Sequence, residues 1–437
     1  MNKSHYPYII LGGGVAGLST CSFLNESALI LEKQSEFGGL SRSFQMNGVA
    51  YDIGPHIIFS KNIEVLDLHT NMIEVNKIKR SNMIFYKGRF VKYPFENDLY
   101  ALDKEDREFC LQEFLSNPYE DIEVQNMLQF FLKNFGEGIT RTYLQPYNEK
   151  IWKFDPSCMD TQMVWRIPKP PKEDVINSAN GIVTEGYTHQ LYFYYPKKNG
   201  FQDLVNAYAN KCIQNGKKLL NNINIESINK IDNLWHIKTE SHGGFTSDKI
   251  INTMPIHEFM NLIALSNDAV QSINKLLYNS IYIIMIQVKK DNIGHHFALY
   301  FPEKEIIFHR LSKLNFLGDN YTTNDGVTTL MAEVTFRPNS YLSKSNKEDI
   351  INSVIKDLIK LGFIEEVDII GTDFRYEKYA YVIYDLNHRK NVDNYLNDLK
   401  AMGIESVGRF AEFEYLNTDG VVENTLKLTN YLNSLNQ

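Results

Sequence analysis

Hydrophobic positions along this chain follow two kinds of pattern: short continuous apolar runs, and longer stretches in which apolar residues recur every three or four positions. Two continuous runs near the N-terminus, residues 8–11 and 28–31, predict buried parallel strands. The residues between them, about 16–24, predict a helix rich in small side chains. The chain therefore opens with one compact βαβ unit.

Blocks of helical and strand-like pattern follow this unit. Apolar residues spaced by three and four predict helices within 96–150, at 200–212 and at 347–361. Residues 281–336 predict several strands in succession, and a proline-rich break is predicted at 167–171. Further strands are predicted at 191–196, 218–228, 234–239 and 249–253, and the tail predicts a strand, a turn and a helix. The interleaving favours an α/β domain interrupted by insertions.

Composition narrows the function classes only slightly. The net charge of -8 argues against nucleic acid, which usually requires a clustered basic face. Four scattered cysteines, Cys21, Cys110, Cys158 and Cys212, form no C-x-x-C pair and favour neither a zinc site nor a disulfide framework. The first residues lack the pattern of a signal peptide, and the apolar run at 281–288 is too short for a membrane span. We therefore expect a cytoplasmic protein.

A glycine motif occupies the turn between the first strand and the first helix. Gly12, Gly14 and Gly17 form G-x-G-x-x-G, and Glu32 follows at the end of the second strand. The first glycine permits the tight turn, the second lets the backbone approach a pyrophosphate, and the third lets helix and strand pack closely. The carboxylate of Glu32 is placed to accept hydrogen bonds from a ribose. This arrangement predicts dinucleotide binding.

A second glycine pair follows six residues after the acid. The segment Gly38-Gly39-Leu40-Ser41-Arg42 allows another close approach of the backbone, and Arg42 can serve a phosphate or a flavin ring. Simple NAD dehydrogenases rarely carry this continuation. The pair therefore favours FAD over NAD.

Three consecutive segments, ILGGGVAGLS, LEKQSEFGGLSRSF and YDIGPHIIFS, resemble the start of the UDP-galactopyranose mutases and of the related flavin amine oxidase and protoporphyrinogen oxidase-like proteins. The resemblance covers nearly the whole chain. It continues through YLQPYNEKIW, YYPKKNGFQDLVNAY, IIFHRLSKLNF with MAEVTF, and YAYVIYDLNHRKNVDNYL with VGRFAEFEYLNTDGVVENTL. YNEKIW and the last two segments are more specific to the mutase-like branch, whereas the N-terminal motifs are generic to the superfamily.

The resemblance implies an α/β fold: a discontinuous Rossmann-like FAD-binding domain, an inserted helical domain and an antiparallel β-sheet substrate domain. The active site is expected between the sheet and the flavin. The expected boundaries are 1–75, 197–262 and 400–437 for the FAD-binding domain, 98–165 for the helical domain, and 76–97, 166–196 and 263–399 for the substrate domain.

The same resemblance implies site residues. Those expected to hold non-covalent FAD are Gly12, Gly14, Ala16, Gly17, Glu32, Lys33, Gly39, Leu40, Ser41, Arg42, Gly54, Pro55, His56, Arg409, Asp419, Gly420, Val421 and Val422. Those expected to bind the substrate are Tyr147, Trp152, Tyr195, Arg310, Tyr379, Tyr384 and Tyr415. Those expected to be catalytic are His56, Arg166, Arg310, Tyr379 and Tyr415. Arg310 would pair with the substrate diphosphate, and Tyr147 and Trp152 would flank its base.

The chain departs from the mutase pattern at two places. Mutases carry a second arginine on a mobile loop, and this chain has Pro170 at that position, with Lys169 and Lys172 as the candidate substitutes. A mutase acid near the C-terminus is replaced by Asn417, and Asp419 is the candidate for a shifted equivalent. Both departures concern the sugar substrate rather than the flavin.

Two enzymatic functions remain open on the sequence. The first is a mutase that interconverts the pyranose and furanose forms of a nucleotide-diphosphate sugar, a UDP-sugar above all, with reduced flavin as the nucleophile at the anomeric carbon. The second is an FAD-dependent oxidoreductase of the amine oxidase or protoporphyrinogen oxidase type. A third, non-enzymatic possibility is a module that binds FAD without catalysing a reaction. The resemblance is compatible with a homodimer and requires no metal.

Overall fold

The computed structural model describes residues 4–165, 167–184, 191–323 and 325–435. The strands are β1 Ser4–Leu11, β2 Ala28–Leu31, β3 Ser43–Met46, β4 Val49–Asp52, β5 Val75–Lys79, β6 Asn82–Tyr86, β7 Arg89–Lys92, β8 Tyr192–Pro196, β9 Lys218–Leu220, β10 Ile225–Ile231, β11 Leu234–Thr239, β12 Gly244–Asn252, β13 Leu277–Val288, β14 Ala298–Tyr300, β15 Arg310–Lys313, β16 Thr328–Phe336, β17 Ile369–Ile383 and β18 Ile404–Ser406. The α-helices are α1 Val15–Phe23, α2 Ile63–Met72, α3 Lys104–Leu115, α4 Met127–Ile139, α5 Gln145–Trp152, α6 Lys172–Ala179, α7 Gln202–Gln214, α8 Ile256–Phe259, α9 Asn267–Lys275, α10 Lys347–Lys360, α11 His388–Met402 and α12 Thr418–Ser434.

The first sheet contains the predicted βαβ unit. Its strand order is β10-β11-β12-β1-β2-β9, and β18 pairs in parallel with the last three residues of β12. The central pairs of β1 with β12 and with β2 are parallel, whereas β10, β11 and β12 form an antiparallel ribbon. The last four residues of β1 and all of β2 are buried, as their continuous apolar runs predict. Helices α7 and α12 pack against α1.

The second sheet is mostly antiparallel and encloses a separate core. Its order is β17-β13-β16-β15-β14-β6-β7, and only β14 and β6 pair in parallel. Helix α10 packs the apolar residues of one face, among them Ile350, Val354 and Leu358, against buried sheet residues. Residues of the opposite face, among them Ile281, Ile283 and Met285, belong to the larger hydrophobic core of the protein.

A helical layer formed by α3, α4 and α5 follows the β6–β7 hairpin. Helices α3 and α4 pack closely because α4 carries two glycines at the contact. A Cβ at Gly136 would lie 2.4 Å from the carbonyl oxygen of Glu113, and one at Gly138 would lie 2.5 Å from the Cα of Cys110. The chain then continues through a π-helical turn at Thr140–Leu144 directly into α5.

The mixed α/β class is confirmed, and several predicted elements need correction. The single strand predicted at 218–228 is two strands, β9 and β10, because Asn222 adopts a positive φ of 56°. The next residue, Ile223, donates its N–H to the carbonyl of Glu32 at 2.8 Å. Within the strands predicted at 281–336, the apolar run that starts at Ile306 becomes a strand only at β15, since the Ile307 N–H bonds to Asp357 of α10 instead.

Helix α11 and the first half of β17 were not predicted from periodicity. The three domain boundaries stay a prediction. Within the part of the chain that the structure describes, no helix is both long enough and apolar enough to cross a bilayer.

Candidate functional site

A cavity of about 1330 Å³ lies between the two sheets. Its wall contains most of the residues predicted for the site: Gly12, Gly14, Ala16, Glu32, Lys33, Gly39, Leu40, Ser41, Arg42, Gly54, Pro55, His56, Trp152, Arg310, Tyr379, Arg409, Tyr415, Asp419 and Val421. Six predicted residues are not part of this wall: Gly17, Tyr147, Tyr195, Tyr384, Gly420 and Val422. Arg166 lies outside the described residues. Single-ligand pockets measure about 300–1,000 Å³, so this cavity has room for a dinucleotide and a second molecule.

Each of the three glycines in the first loop meets a different geometric requirement. Gly12 adopts a φ of +104°, and a Cβ there would lie 2.9 Å from Thr253 Oγ1. A Cβ at Gly17 would lie 2.0 Å from the Gly12 carbonyl oxygen, so this glycine lets α1 pack onto β1. Gly14 faces the cavity, and the nearest protein atom to its Cβ position is 3.8 Å away. Gly14 also precedes α1 without a side-chain cap, which is the geometry that accepts a phosphate.

Glu32 is 8% exposed and closes this loop. Its Oε2 accepts the N–H of Gly13 at 2.6 Å, and its Oε1 accepts the N–H of Gln34 at 2.7 Å. A carboxylate offers about four lone-pair sites, so each oxygen retains capacity for a ribose hydroxyl. The acid therefore has the position and the chemistry expected for a dinucleotide.

The second glycine loop lies directly against the first. The Gly38 N–H donates to the Gly13 carbonyl at 2.8 Å, and a Cβ at Gly39 would lie 3.2 Å from the Gly14 Cα. Arg42 donates from Nε to the Gly39 carbonyl at 2.9 Å and from Nη2 to Glu377 of β17 at 2.9 Å. Arg42 therefore joins the glycine loops to the second sheet.

The loop of Gly54, Pro55 and His56 lines the cavity. A Cβ at Gly54 would lie 3.2 Å from Glu333 Oε2, so glycine allows the loop to approach the second sheet. Burial, together with the nearby guanidinium groups of Arg409 and Arg310, lowers the pKa of His56 to about 4. His56 is therefore neutral at pH 7, with two cations close by.

Arg310 does not present its bidentate edge to the cavity. Its Nε bonds to Oε1 of Glu333, and its Nη2 donates to Oε2 of Glu333 at 2.7 Å. Glu333 is fully buried, whereas the Arg310 side chain is 23% exposed. Burial opposes the charge of Arg310, but Glu333 together with Tyr381 and Tyr300 outweighs this effect and holds the pKa of Arg310 well above its usual value. The bidentate pairing expected with a diphosphate is thus made with a protein carboxylate.

Arg409 connects the C-terminal segment to β17. Its Nε donates to the Leu416 carbonyl at 2.7 Å, its Nη1 donates to the Ala380 carbonyl at 3.2 Å, and its guanidinium lies 4.8 Å from the ring centre of Tyr415. The preceding Gly408 allows this approach, because its Cβ would lie 2.7 Å from the Cβ of Ala16 in α1. A cation is therefore held beside the glycine loops.

Helix α12 begins at Thr418, beside Arg409, and its N-terminus faces the cavity. Asp419 lies in the first turn, and burial raises the pKa of its carboxyl although a hydrogen bond from Ser60 opposes this effect. Asn417, which occupies the position of the expected mutase acid, also lines the wall.

Three aromatic rings form one corner of the wall. Trp152 meets Tyr381 and Tyr415 edge to face, with ring centres 5.7 Å and 5.6 Å away, and its Nε1 donates to Asn148 at 2.8 Å. Tyr381 and Tyr415 lie nearly parallel with ring centres 6.0 Å apart. The sequence reasoning missed Tyr381, although Tyr379 and Tyr381 alternate with smaller residues on one strand.

Tyr147 lies behind the wall rather than in it. Its ring stacks on Tyr143 at 5.4 Å and meets Tyr300 edge to face at 5.6 Å, and both partners line the cavity. The cavity wall in front of Tyr147 is therefore formed by Tyr143 and Tyr300. The sequence feature that could have identified Tyr143 as a wall residue is its position one helical turn before Tyr147 in the same segment.

The other predicted tyrosines have structural partners. Tyr195 is 1% exposed and donates to Asp52 at 2.6 Å, so its ring is part of the core. The Tyr384 hydroxyl donates to Glu414 at 2.6 Å and accepts the N–H of Tyr415 at 2.6 Å, which fixes the backbone beside the wall. The Tyr379 ring lines the cavity, and its hydroxyl donates to Glu258 at 2.6 Å.

The candidate substitutes for the missing arginine are not part of the wall. Lys169 Nζ lies 3.4 Å from Glu120 in an exposed pair, and Lys172 is the first residue of α6. Of this segment, Ile167 and Pro168 line the cavity. The structure therefore brings no lysine of the 167–172 segment to the cavity.

Comparisons with known proteins agree with this architecture. A family model described as flavin containing amine oxidoreductase matches residues 15–410. A reduced UDP-galactopyranose mutase superposes with a TM-score of 0.88 at 24% identity, covering 98% of this chain and 96% of that one. An Exiguobacterium sp. 255-15 protein given provisionally as a protoporphyrinogen oxidase has a TM-score of 0.77 at 16% identity, with complete coverage of both chains. A redesigned putrescine oxidase has a TM-score of 0.67 at 12% identity, covering 99% and 100%. At these identities the similarity shows the fold.

Proposed function

Because this chain belongs to the flavin-containing amine oxidoreductases and holds FAD, we propose that it interconverts the pyranose and furanose forms of a nucleotide-diphosphate sugar. The observation that carries the proposal is the cluster of Arg310, Arg409, Trp152, Tyr381 and Tyr415 in one part of the cavity wall. A substrate with two phosphates needs cations beside it, and its base and sugar need flat surfaces. A UDP-sugar has a diphosphate for the two arginines and a base and a sugar ring for the aromatic side chains.

The open space beside Gly14 fits the FAD pyrophosphate, and Glu32 fits the ribose. Arg42 and Asp419 would lie near the bound cofactor. In its reduced state FAD would supply the nucleophile toward the anomeric carbon.

The protein side chains supply charge and orientation. Arg310 would face the departing diphosphate, and Glu333 would hold the plane of its guanidinium. Its charge is balanced by Glu333 before substrate arrives, so part of the phosphate contact would fall to Arg409. His56 stays neutral between them and adds no third positive charge.

A reduction-dependent assay tests the proposal. Dithionite-reduced protein is expected to convert UDP-galactopyranose to the furanose form, as measured by chromatography, and oxidised protein is expected to be inactive. Arg310→Gln should raise the dissociation constant of UDP roughly tenfold or more while retaining FAD. Arg141→Gln, on an exposed helix surface, is the matched control.

The second candidate is an oxidoreductase that oxidises an amine. The Arg310–Glu333 pair favours it, because Glu333 already neutralises the cation that a diphosphate would need. Aromatic side chains such as Tyr381 and Tyr415 can also attract a cationic substrate. Steady peroxide production from an amine, together with no turnover of any nucleotide sugar by reduced protein, would select this function over the mutase.

A further inference from the structure

Helix α5 carries Trp152 at its last position and ends against the second sheet. The last carbonyl groups of a helix have no partner within the helix. Here the Asn279 side chain of β13 donates from Nδ2 to the Ile151 carbonyl at 3.1 Å and to the Trp152 carbonyl at 2.6 Å. Thr335 of β16 donates to the Lys150 carbonyl at 3.3 Å. The sheet therefore caps the helix that carries the cavity tryptophan.

Asn279 also occupies a special position within the sheet. It pairs in register with Tyr381, whose ring contacts Trp152. The pairing then shifts, because Ile281 pairs with Glu377, so that two residues of β13 span four of β17. Such bulges redirect side chains and are common beside active sites. Asn279 is fully buried, while its neighbour Ile281 lines the cavity.

We propose that Asn279 is a positioning residue, whose amide fixes the end of α5 and thereby holds Trp152 against Tyr381 and Tyr415 in the cavity wall. Without the amide, the carbonyl groups of residues 151 and 152 lose their donor, and the Trp152 carbonyl loses it in a buried place. The end of the helix then moves to find other donors, and the indole moves with it. For its effect on ligand binding, this inference rests on the proposed nucleotide-sugar function.

The first test is independent of that function. Asn279→Leu keeps the size of the side chain and removes the donor, and Gln287→Leu is the matched control. Gln287 is another buried amide on β13, and it bonds to the Met46 carbonyl at 3.3 Å and to Thr329 at 3.2 Å. For each protein, the near-ultraviolet circular dichroism of Trp152 is obtained as a difference signal. The spectrum of the same protein carrying Trp152→Phe is subtracted from its own spectrum. Asn279→Leu should abolish this difference signal and Gln287→Leu should preserve it, whereas an unchanged signal in Asn279→Leu overturns the inference.

The second test measures the coupling of the two residues. UDP is titrated into the holoprotein and followed by the flavin absorbance. Asn279→Leu should raise the dissociation constant roughly tenfold, within the range found for coupled neighbours, and should add no effect in the Trp152→Phe background. Additive effects would overturn the positioning role. If wild-type protein does not bind UDP, the proposed function fails and the dichroism alone decides the inference. If Asn279→Leu does not fold, Asn279→Ser, which keeps one donor, is measured in the same way.

Discussion

Gly14 is the position at which one methyl group should separate cofactor binding from protein stability. Its backbone has a φ of -73° and a ψ of -178°, which alanine adopts without strain. The nearest protein atom to a Cβ there is 3.8 Å away, so Gly14→Ala causes no clash in the apoprotein. Loss of backbone freedom in the unfolded chain should even stabilise the apoprotein by about 0.4–1 kcal/mol.

The same methyl group occupies the space that a pyrophosphate needs. If it displaces one or two charge-assisted hydrogen bonds to the N-terminus of α1, binding weakens by about 3 kcal/mol. That change corresponds to a dissociation constant roughly 150-fold higher. Gly17→Ala is the contrasting variant, because its Cβ would lie 2.0 Å from the Gly12 carbonyl oxygen. It should destabilise the apoprotein by about 1–3 kcal/mol or more.

Both variants are measured as apoprotein, by thermal unfolding and by calorimetric titration with FAD. Gly14→Ala is expected to unfold at or above the wild-type temperature and to bind FAD weakly. Gly17→Ala is expected to unfold earlier. Wild-type FAD affinity in Gly14→Ala, or a loss of stability equal to that of Gly17→Ala, would refute the assignment of this space to the pyrophosphate.

Three further predictions concern buried polar groups. Tyr195→Phe removes a hydrogen-bond donor from Asp52 and should lower the free energy of unfolding by about 1–3 kcal/mol with unchanged UDP binding. Weaker UDP binding at unchanged stability would contradict the structural role of Tyr195. Glu333→Gln leaves the charge of Arg310 without its counterion, so it should lower the free energy of unfolding by about 3 kcal/mol and tighten UDP binding. A UDP titration that shows no tighter binding would exclude Glu333 as a competitor for the Arg310 cation. Stability should also fall as pH drops from about 6.5 to about 4, because buried histidines have a pKa of about 4 and the unfolded chain takes up protons that the folded chain refuses. These histidines are His56, His69 and His257. Asp52, with its pKa raised to about 6, works in the opposite direction below pH 6. Urea titrations at several pH values across this range give the free energy of unfolding as a function of pH. The slope of this free energy against pH should be flatter for His69→Phe, by at most about 1.4 kcal/mol per pH unit. An unchanged slope would show that His69 is not buried in its neutral form.

The sequence by itself determined the βαβ unit and its glycine loops. Continuous apolar runs predicted β1 and β2, and the spacing of Gly12, Gly14 and Gly17 predicted a phosphate-binding turn, because both features depend on local backbone geometry. The family membership and FAD follow from segments that cover most of the chain.

Only the tertiary structure decided which polar side chains reach the cavity. Arg310 faces the cavity but pairs with Glu333 from the neighbouring strand, and Tyr195 bonds to Asp52, which is 143 residues away in sequence. Tyr143 lines the wall where Tyr147 was expected. A residue's type and its local pattern state what it can bind, whereas its partner is set by strand register and helix packing between distant segments, which no local pattern encodes.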